Sequence, residues 1–188
     1  MVDHIRENWG ALDVLVNNAG IAGETGEIEN LDDDAFQQCM QINLSSMFYT
    51  TKRLAALLKH SSGSIINISS VAGRLGYGLR TPYASSKWGV IGLTKSLAVE
   101  MGPEGVRVNA ILPGIVEGPR IDRVIEAKAK TKQVSFDDMR DEYLSKVSLR
   151  RMVQADDIAS MCLFLCAAGG ANISGQALSV CANVETLS

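Results

Sequence analysis

The chain has 188 residues, of which 46% are hydrophobic, 21% charged and 5% aromatic, a composition that supports one domain with a sizeable core and excludes disordered and collagen-like classes. Lys and Arg number 18 against 21 Asp and Glu, and the resulting net charge of -3 argues against nucleic acid as a partner. The longest apolar stretches, such as 161–168, are too short to span a bilayer, and the N-terminus lacks a signal peptide's apolar segment, so no membrane partner is expected and the default location is cytoplasmic.

In chain order, Val2, Ile5 and Trp9 recur at helical spacing and Gly10 follows as a stop, which predicts a short helix. Leu12 to Val16 is an apolar run ending in Asn17-Asn18-Ala19-Gly20, the pattern of a parallel strand buried on both faces. After a loop over 21–30, Asp32 is an N-cap candidate. From there apolar residues recur through Leu58, predicting one long or slightly broken helix to about His60. Ser64 to Ser69 reads as a second strand, and a glycine-studded loop leads to a helix from near Pro82 to Gly102-Pro103.

Val106 to Leu112 is a third strand, ended by Pro113-Gly114. Residues 120–146 read as two amphipathic, charged helices with a cap at Ser135, forming a solvated flap over 117–151. An apolar helix over 156–168 and a strand over 176–181 complete a single domain, 1–188. Strands alternating with helices imply an α/β fold with a parallel sheet covered on both sides. Nothing upstream of the first strand supplies a neighbour for its other edge, so that edge is expected to be unprotected.

Cys39, Cys162, Cys166 and Cys181 lack CxxC spacing and three of the four sit in apolar surroundings, so small buried thiols are expected rather than disulfides or a zinc site. His4 and His60 fall on solvated helix faces, and no metal is expected.

Tyr83 and Lys87 lie four apart near a helix start, so their side chains share one face. A phenol is a poor proton-transfer group at neutral pH, and a neighbouring ammonium favours its ionised form. Ser70 closes a strand at its carboxyl end, where parallel sheets place ligands, and its hydroxyl can donate to a carbonyl oxygen. Asn43 is a polar interruption in an apolar helical pattern. Singly, each has an ordinary reading as surface pair, strand-end residue or helix defect.

Together with their order, these motifs resemble the short-chain dehydrogenase/reductase family: Asn17-Asn18-Ala19-Gly20 after a strand, Ile68-Ser69-Ser70, Tyr83-Ala84-Ser85-Ser86-Lys87 and Pro113-Gly114. The resemblance runs over nearly the whole chain, is closest to members such as 3-oxoacyl reductases, and implies a Rossmann-type doubly wound sheet, here with about four strands. It implies that Tyr83 exchanges a proton with the substrate oxygen, and that Ser70, thirteen residues earlier, polarises that oxygen in preference to Ser69. Lys87 would support the phenolate and bind nicotinamide ribose hydroxyls, and Asn43 would hold a relay water. Asn17, Ala19 and Gly20 would line the adenosine side of an NAD or NADP cofactor, and Pro113, Gly114 and the Val116 backbone the nicotinamide side.

The implied activity is NAD(P)-dependent interconversion of a secondary alcohol and a ketone on a small-molecule substrate, in a homo-oligomer, dimer or tetramer. A 3-oxoacyl thioester, a steroid and a polyol are each compatible. Departures from the family are Gly118 in place of a frequent threonine, and Val180-Cys181-Ala182-Asn183 in place of a Val-Asp-Gly-Gly type ending, which would loosen the final loop. The family's opening strand and TGxxxGxG turn, roughly 70–80 residues, have no counterpart. Two expectations follow: a start at an internal methionine of a longer enzyme, or a truncated, non-catalytic subunit acting through full-length partners. A sugar-nucleotide epimerase or dehydratase also uses a Tyr-x-x-x-Lys pair, but Asn17-Asn18-Ala19-Gly20 and the short C-terminal region argue against it.

Overall fold

The computed structural model describes residues 2–184 and Leu187. Four strands, β1 (Val14–Asn17), β2 (Ser64–Ile68), β3 (Arg107–Pro113) and β4 (Ala177–Val180), form one parallel sheet in the order β1-β2-β3-β4. Helix α1 (Val2–Asn8) precedes them, and α2 (Asp33–Met40), α3 (Ser46–Ser61), α4 (Thr81–Met101), α5 (Pro119–Lys132), α6 (Phe136–Ser145) and α7 (Ala155–Cys166) lie between them. The predicted strand-helix alternation is present, because each parallel pairing needs a crossover that returns the chain to the same end of the sheet.

Alternate residues of each strand feed opposite layers. Ile65 and Val108 pack with Leu54, Leu57 and Leu58 of α3 and Met101 of α4, while Ile66, Ile68 and Ile111 pack with Leu165 of α7. A third cluster joins Ala110 and Leu112 to Ile125, Met139 and Tyr143, so the inner faces of α5 and α6 belong to the core. The 117–151 segment is therefore only half the solvated flap expected from its charge. Its apolar residues at helical spacing are what bury it.

Among the described residues β1 pairs with β2 alone. The strand expected to be buried on both faces is buried on one: Leu15 and Asn17 face the α3 layer, whereas Val14 and Val16, with no helix packed over them, stay 39% and 45% exposed among the described residues. The long helix from Asp32 is capped as predicted, with the Asp32 carboxylate accepting from Ala35 N–H. It is interrupted by a single π-helical turn, Gln41–Ser45, between α2 and α3. Ser135 caps α6 by accepting from Asp138 N–H. The chain end at Ala182 and Asn183 adopts left-handed φ values of 52° and 58°, where the family pattern carries glycines. It is not loose: Leu149 N–H and Ser148 N–H donate to the carbonyls of Ala182 and Asn183.

Only Cys39 of the four free cysteines is fully buried, and the other three are half-buried. His4 and His60 are exposed. Among the described residues no cluster of His, Cys, Asp or Glu suits a metal ion, and no helix is long and apolar enough to cross a membrane.

Candidate active site

The carboxyl ends of β1, β2 and β3 open into a cavity of about 600 Å³, lined among others by Ser70, Tyr83, Lys87, Pro113, Gly114 and Val116. Strand ends of a parallel sheet are where the backbone stops hydrogen-bonding laterally and leaves space for a ligand. Pro82 at the first turn of α4 fixes its start, so Tyr83 and Lys87 project from its first two turns.

Lys87 is 3% exposed. Its Nζ donates to the Ile68 carbonyl at 2.9 Å and lies 5.7 Å from the Tyr83 ring centroid. Burial is the main cause that lowers its pKa to about 8, with the Arg120 charge acting the same way and Cys39 opposing. Among the described residues Nζ makes this one hydrogen bond, so its other two N–H groups can serve a ligand.

Ser69 and Ser70 divide their work. Ser69 Oγ donates to the Lys87 carbonyl at 2.8 Å and holds α4 against β2. Ser70 Oγ accepts from Ala72 N–H at 3.1 Å, which leaves its own proton for a group in the cavity. The two layers meet at Gly73, where an added Cβ would lie 2.6 Å from the Lys87 carbonyl oxygen. Only glycine permits that approach.

Asn43 sits in the π turn with no exposure. Its Oδ1 accepts from Ile21 N–H at 2.8 Å, and its Nδ2 donates to the Ile21 carbonyl at 3.1 Å and to Ser86 Oγ at 3.0 Å. Ser86 Oγ in turn donates to the Tyr83 carbonyl. The side chain is thus a clasp between the loop after β1 and the helix that carries Tyr83, and π turns recur where a helix must re-aim a side chain in this way. Gly20, next to the clasped residue, packs tightly: a Cβ there would meet Asn43 Oδ1 at 3.0 Å and press on the clasp, with Lys87 Nζ at 3.6 Å.

The other predicted positions are distributed as follows. Asn17 turns inward, donating to Asn67 Oδ1 at 2.8 Å, and Asn67 donates onward to Thr94, so its side chain ties β1 to β2 and α4. What Asn17 can offer a ligand is its backbone. Its neighbour Asn18, not singled out from the sequence, lines the cavity together with Val16 and Ala22. Gly114 passes so close to Cys181 that a Cβ would lie 2.7 Å from its Cα. Gly118 has φ +138° at the start of α5, a conformation that favours glycine over the family's threonine.

Sequence reasoning also missed Arg80 and Tyr143, both cavity-lining and almost wholly buried. A lone Arg in a glycine-rich loop carries no periodic signal of burial.

The sequence matches, over residues 1–182, the family described as Enoyl-(Acyl carrier protein) reductase. The chain belongs to the short-chain dehydrogenase/reductase family. Within this family it is 33% identical over 181 residues to a 3-oxoacyl-(acyl-carrier-protein) reductase of Thermotoga maritima, covering 96% of this chain and 69% of that protein. Over a shorter stretch of 113 residues it is 47% identical to trans-4-hydroxycyclohexanecarboxylate dehydrogenase of Sinomonas cyclohexanicum, 60% of this chain and 43% of the relative. The crystal structure of a variant actinorhodin polyketide ketoreductase with NADPH superposes with a TM-score of 0.90 at 35% identity, over 97% of this chain and 71% of that one. The chain spans about two thirds of the length of the curated relatives it matches, 65% for a Streptomyces violaceoruber protein named for ketoacyl reduction in granaticin synthesis.

Proposed function

We propose that the protein is an NAD(P)-dependent oxidoreductase that interconverts a secondary alcohol and a ketone. The observation that carries this reading is the convergence of Ser70, Tyr83 and Lys87 on one cavity at the strand ends. The relatives support the class, since their names span ketoacyl reductases, a cyclic hydroxy-acid dehydrogenase and a xylitol dehydrogenase, all of which act at a carbinol or carbonyl carbon.

The residues present fit the nicotinamide-ribose end of a dinucleotide: a buried ammonium with unused donors beside a glycine, Gly20, that leaves the space in front of it open. Lys87 would hold the ribose, the backbones of Asn17, Ala19 and Gly20 together with Asn18 the adenosine side, and Pro113, Gly114 and Val116 the nicotinamide side. The cofactor supplies or accepts the hydride.

The protein handles the proton and the charge. Ser70 donates its free proton to the substrate oxygen and polarises the carbonyl, while Tyr83 delivers or removes the proton at that oxygen. The Lys87 ammonium, held by the Ile68 carbonyl, stabilises the phenolate left on Tyr83. Both amide hydrogens of Asn43 are committed to protein acceptors, so its side chain would hold a relay water through Oδ1, which already accepts from Ile21 N–H.

Exposed Phe48, Tyr49 and Trp88 on α3 and α4 favour self-association through that face. The test of the catalytic reading is Tyr83→Phe: turnover falls by about a hundredfold or more while cofactor affinity stays within a few-fold. A Tyr83→Phe protein as active as wild type overturns it.

A further inference from the structure

One side of the cavity carries the hydrogen-bond donors Tyr77, Arg80 and Tyr143. Arg80 is 2% exposed, and its guanidinium lies 5.3 Å from the Tyr77 ring and 5.1 Å from the Tyr83 ring. It donates to the Ala22 carbonyl at 2.6 Å, but its buried Nε has no acceptor. Behind Tyr77 lies Lys128 of α5, fully buried, with its Nζ 4.8 Å from the Tyr77 ring and 5.5 Å from that of Tyr143, and with no hydrogen-bond partner. The hydroxyls of Tyr77 and Tyr143 are 2.6 Å apart, so one donates to the other and the acceptor of that pair keeps a free O–H. Burial pushes both phenols above their usual range and keeps them protonated donors.

Buried cations are ordinarily paired with carboxylates, because aromatic faces offset only part of the lost hydration. Around Lys128, Lys132 on its own helix, Glu142 from α6, Lys146 just after α6 and Arg80 ahead of α4 place three further cations against one carboxylate. Glu142 is already shared between Lys132 and Lys146. Among the described residues the positive charge around this wall therefore exceeds the negative, and Arg80 Nε and Lys128 Nζ, both shielded from solvent, lack acceptors.

We propose that this wall binds a carboxylate of the substrate, so that the protein acts on a hydroxy acid and its oxo acid, with Arg80 and the Tyr77–Tyr143 pair in contact and Lys128 behind them. This rests on the oxidoreductase reading and narrows its substrate class. Arg80 touches the same ring that serves the reacting oxygen, so the acid and the carbinol carbon are separated by only a few bonds. The body between them meets Val71, Ile115 and Val124, which suits a compact aliphatic or alicyclic acid better than a polyol.

The test is calorimetric titration of the full chain with cyclohexanecarboxylate, which has the acid but no carbinol, beside its methyl ester and inorganic phosphate. The acid is expected to bind saturably and at least tenfold more tightly than either comparator. Lys128→Met and Arg80→Gln are each expected to lose about tenfold or more. Because burial holds the Lys128 pKa at about 8, wild-type affinity declines as pH rises past that value, and the decline is shallower in the Lys128→Met protein, where of the two only Lys87, also held at about 8, still loses its charge. Equal binding of acid and ester, tighter binding of phosphate, or unchanged affinity in Lys128→Met overturns the proposal. Tyr83→Phe is expected to retain acid binding, so loss of hydride chemistry and loss of carboxylate recognition are read in separate experiments.

Discussion

Replacing Asn43 by Ala removes the clasp between the loop after β1 and α4. Ile21 N–H and C=O lose partners at 2.8 and 3.1 Å, and Ser86 Oγ loses a donor at 3.0 Å. A hydrogen bond left half-made in a buried site costs about 1–3 kcal/mol, and Ile21 is only partly buried, so two main-chain groups and one hydroxyl together amount to about 2–4 kcal/mol. For a chain of this size that lowers Tm by roughly 10 °C. Asn43→Asp sharpens the test. Its carboxylate keeps the bond from Ile21 N–H but sets acceptor against acceptor at the Ile21 carbonyl, so at pH 7 it is less stable than the Ala variant. Acidification restores a donor, and the Asp variant regains stability as its carboxyl protonates. Urea unfolding followed by circular dichroism, with hydrogen exchange at the Ile21 amide, measures both effects. An Ala variant within about 0.5 kcal/mol of wild type, a change typical of surface sites, refutes the clasp.

The buried Lys128 makes a pH prediction. Between about pH 8 and its ordinary 10.5 the unfolded chain holds a proton that the folded chain has released, so wild-type stability rises with pH across that window. Below it the buried ammonium opposes folding in full, and Lys128→Met is more stable than wild type at pH 7 by about 1–3 kcal/mol after loss of the cation–π contacts. Thermal melts at pH 7 and 10 check this, the gap between the two proteins narrowing at the higher pH; a less stable variant at pH 7 contradicts it. At the sheet edge, Val14→Lys places a charge on an exposed apolar strand that pairs on one side only. Light scattering should show less self-association at equal stability, and unchanged scattering would remove β1 from the account.

β2 was legible because Ile65, Ile66 and Ile68 form a short β-branched run bounded by turn signals, and the strand is buried at every position. Tyr83 and Lys87 were legible because four-residue spacing fixes their common face. The π turn was not, since Asn43 in an apolar pattern looks like a helix defect until Ile21, 22 residues upstream, is seen to be its partner. Nor was Asn17 distinguishable from Asn18: strand alternation sends one inward and the other to the cavity, and the register that decides which is set by pairing to β2. Arg80 and Lys128 were hidden for a related reason. Their burial arises where segments about 50 residues apart close over Tyr77, and charge in a sequence reads as solvated until that closure is visible.

Hydride transfer at the Tyr83 cavity is the central claim, and isotope transfer tests it most directly. The protein is incubated with a ketone and NADH or NADPH carrying deuterium at the nicotinamide C4, and the alcohol is examined by mass spectrometry. The account predicts one deuterium on the carbinol carbon, from one face of the cofactor only, and its disappearance in Tyr83→Phe. Alcohol formed without deuterium from either face, or labelled alcohol formed as fast by Tyr83→Phe, contradicts it.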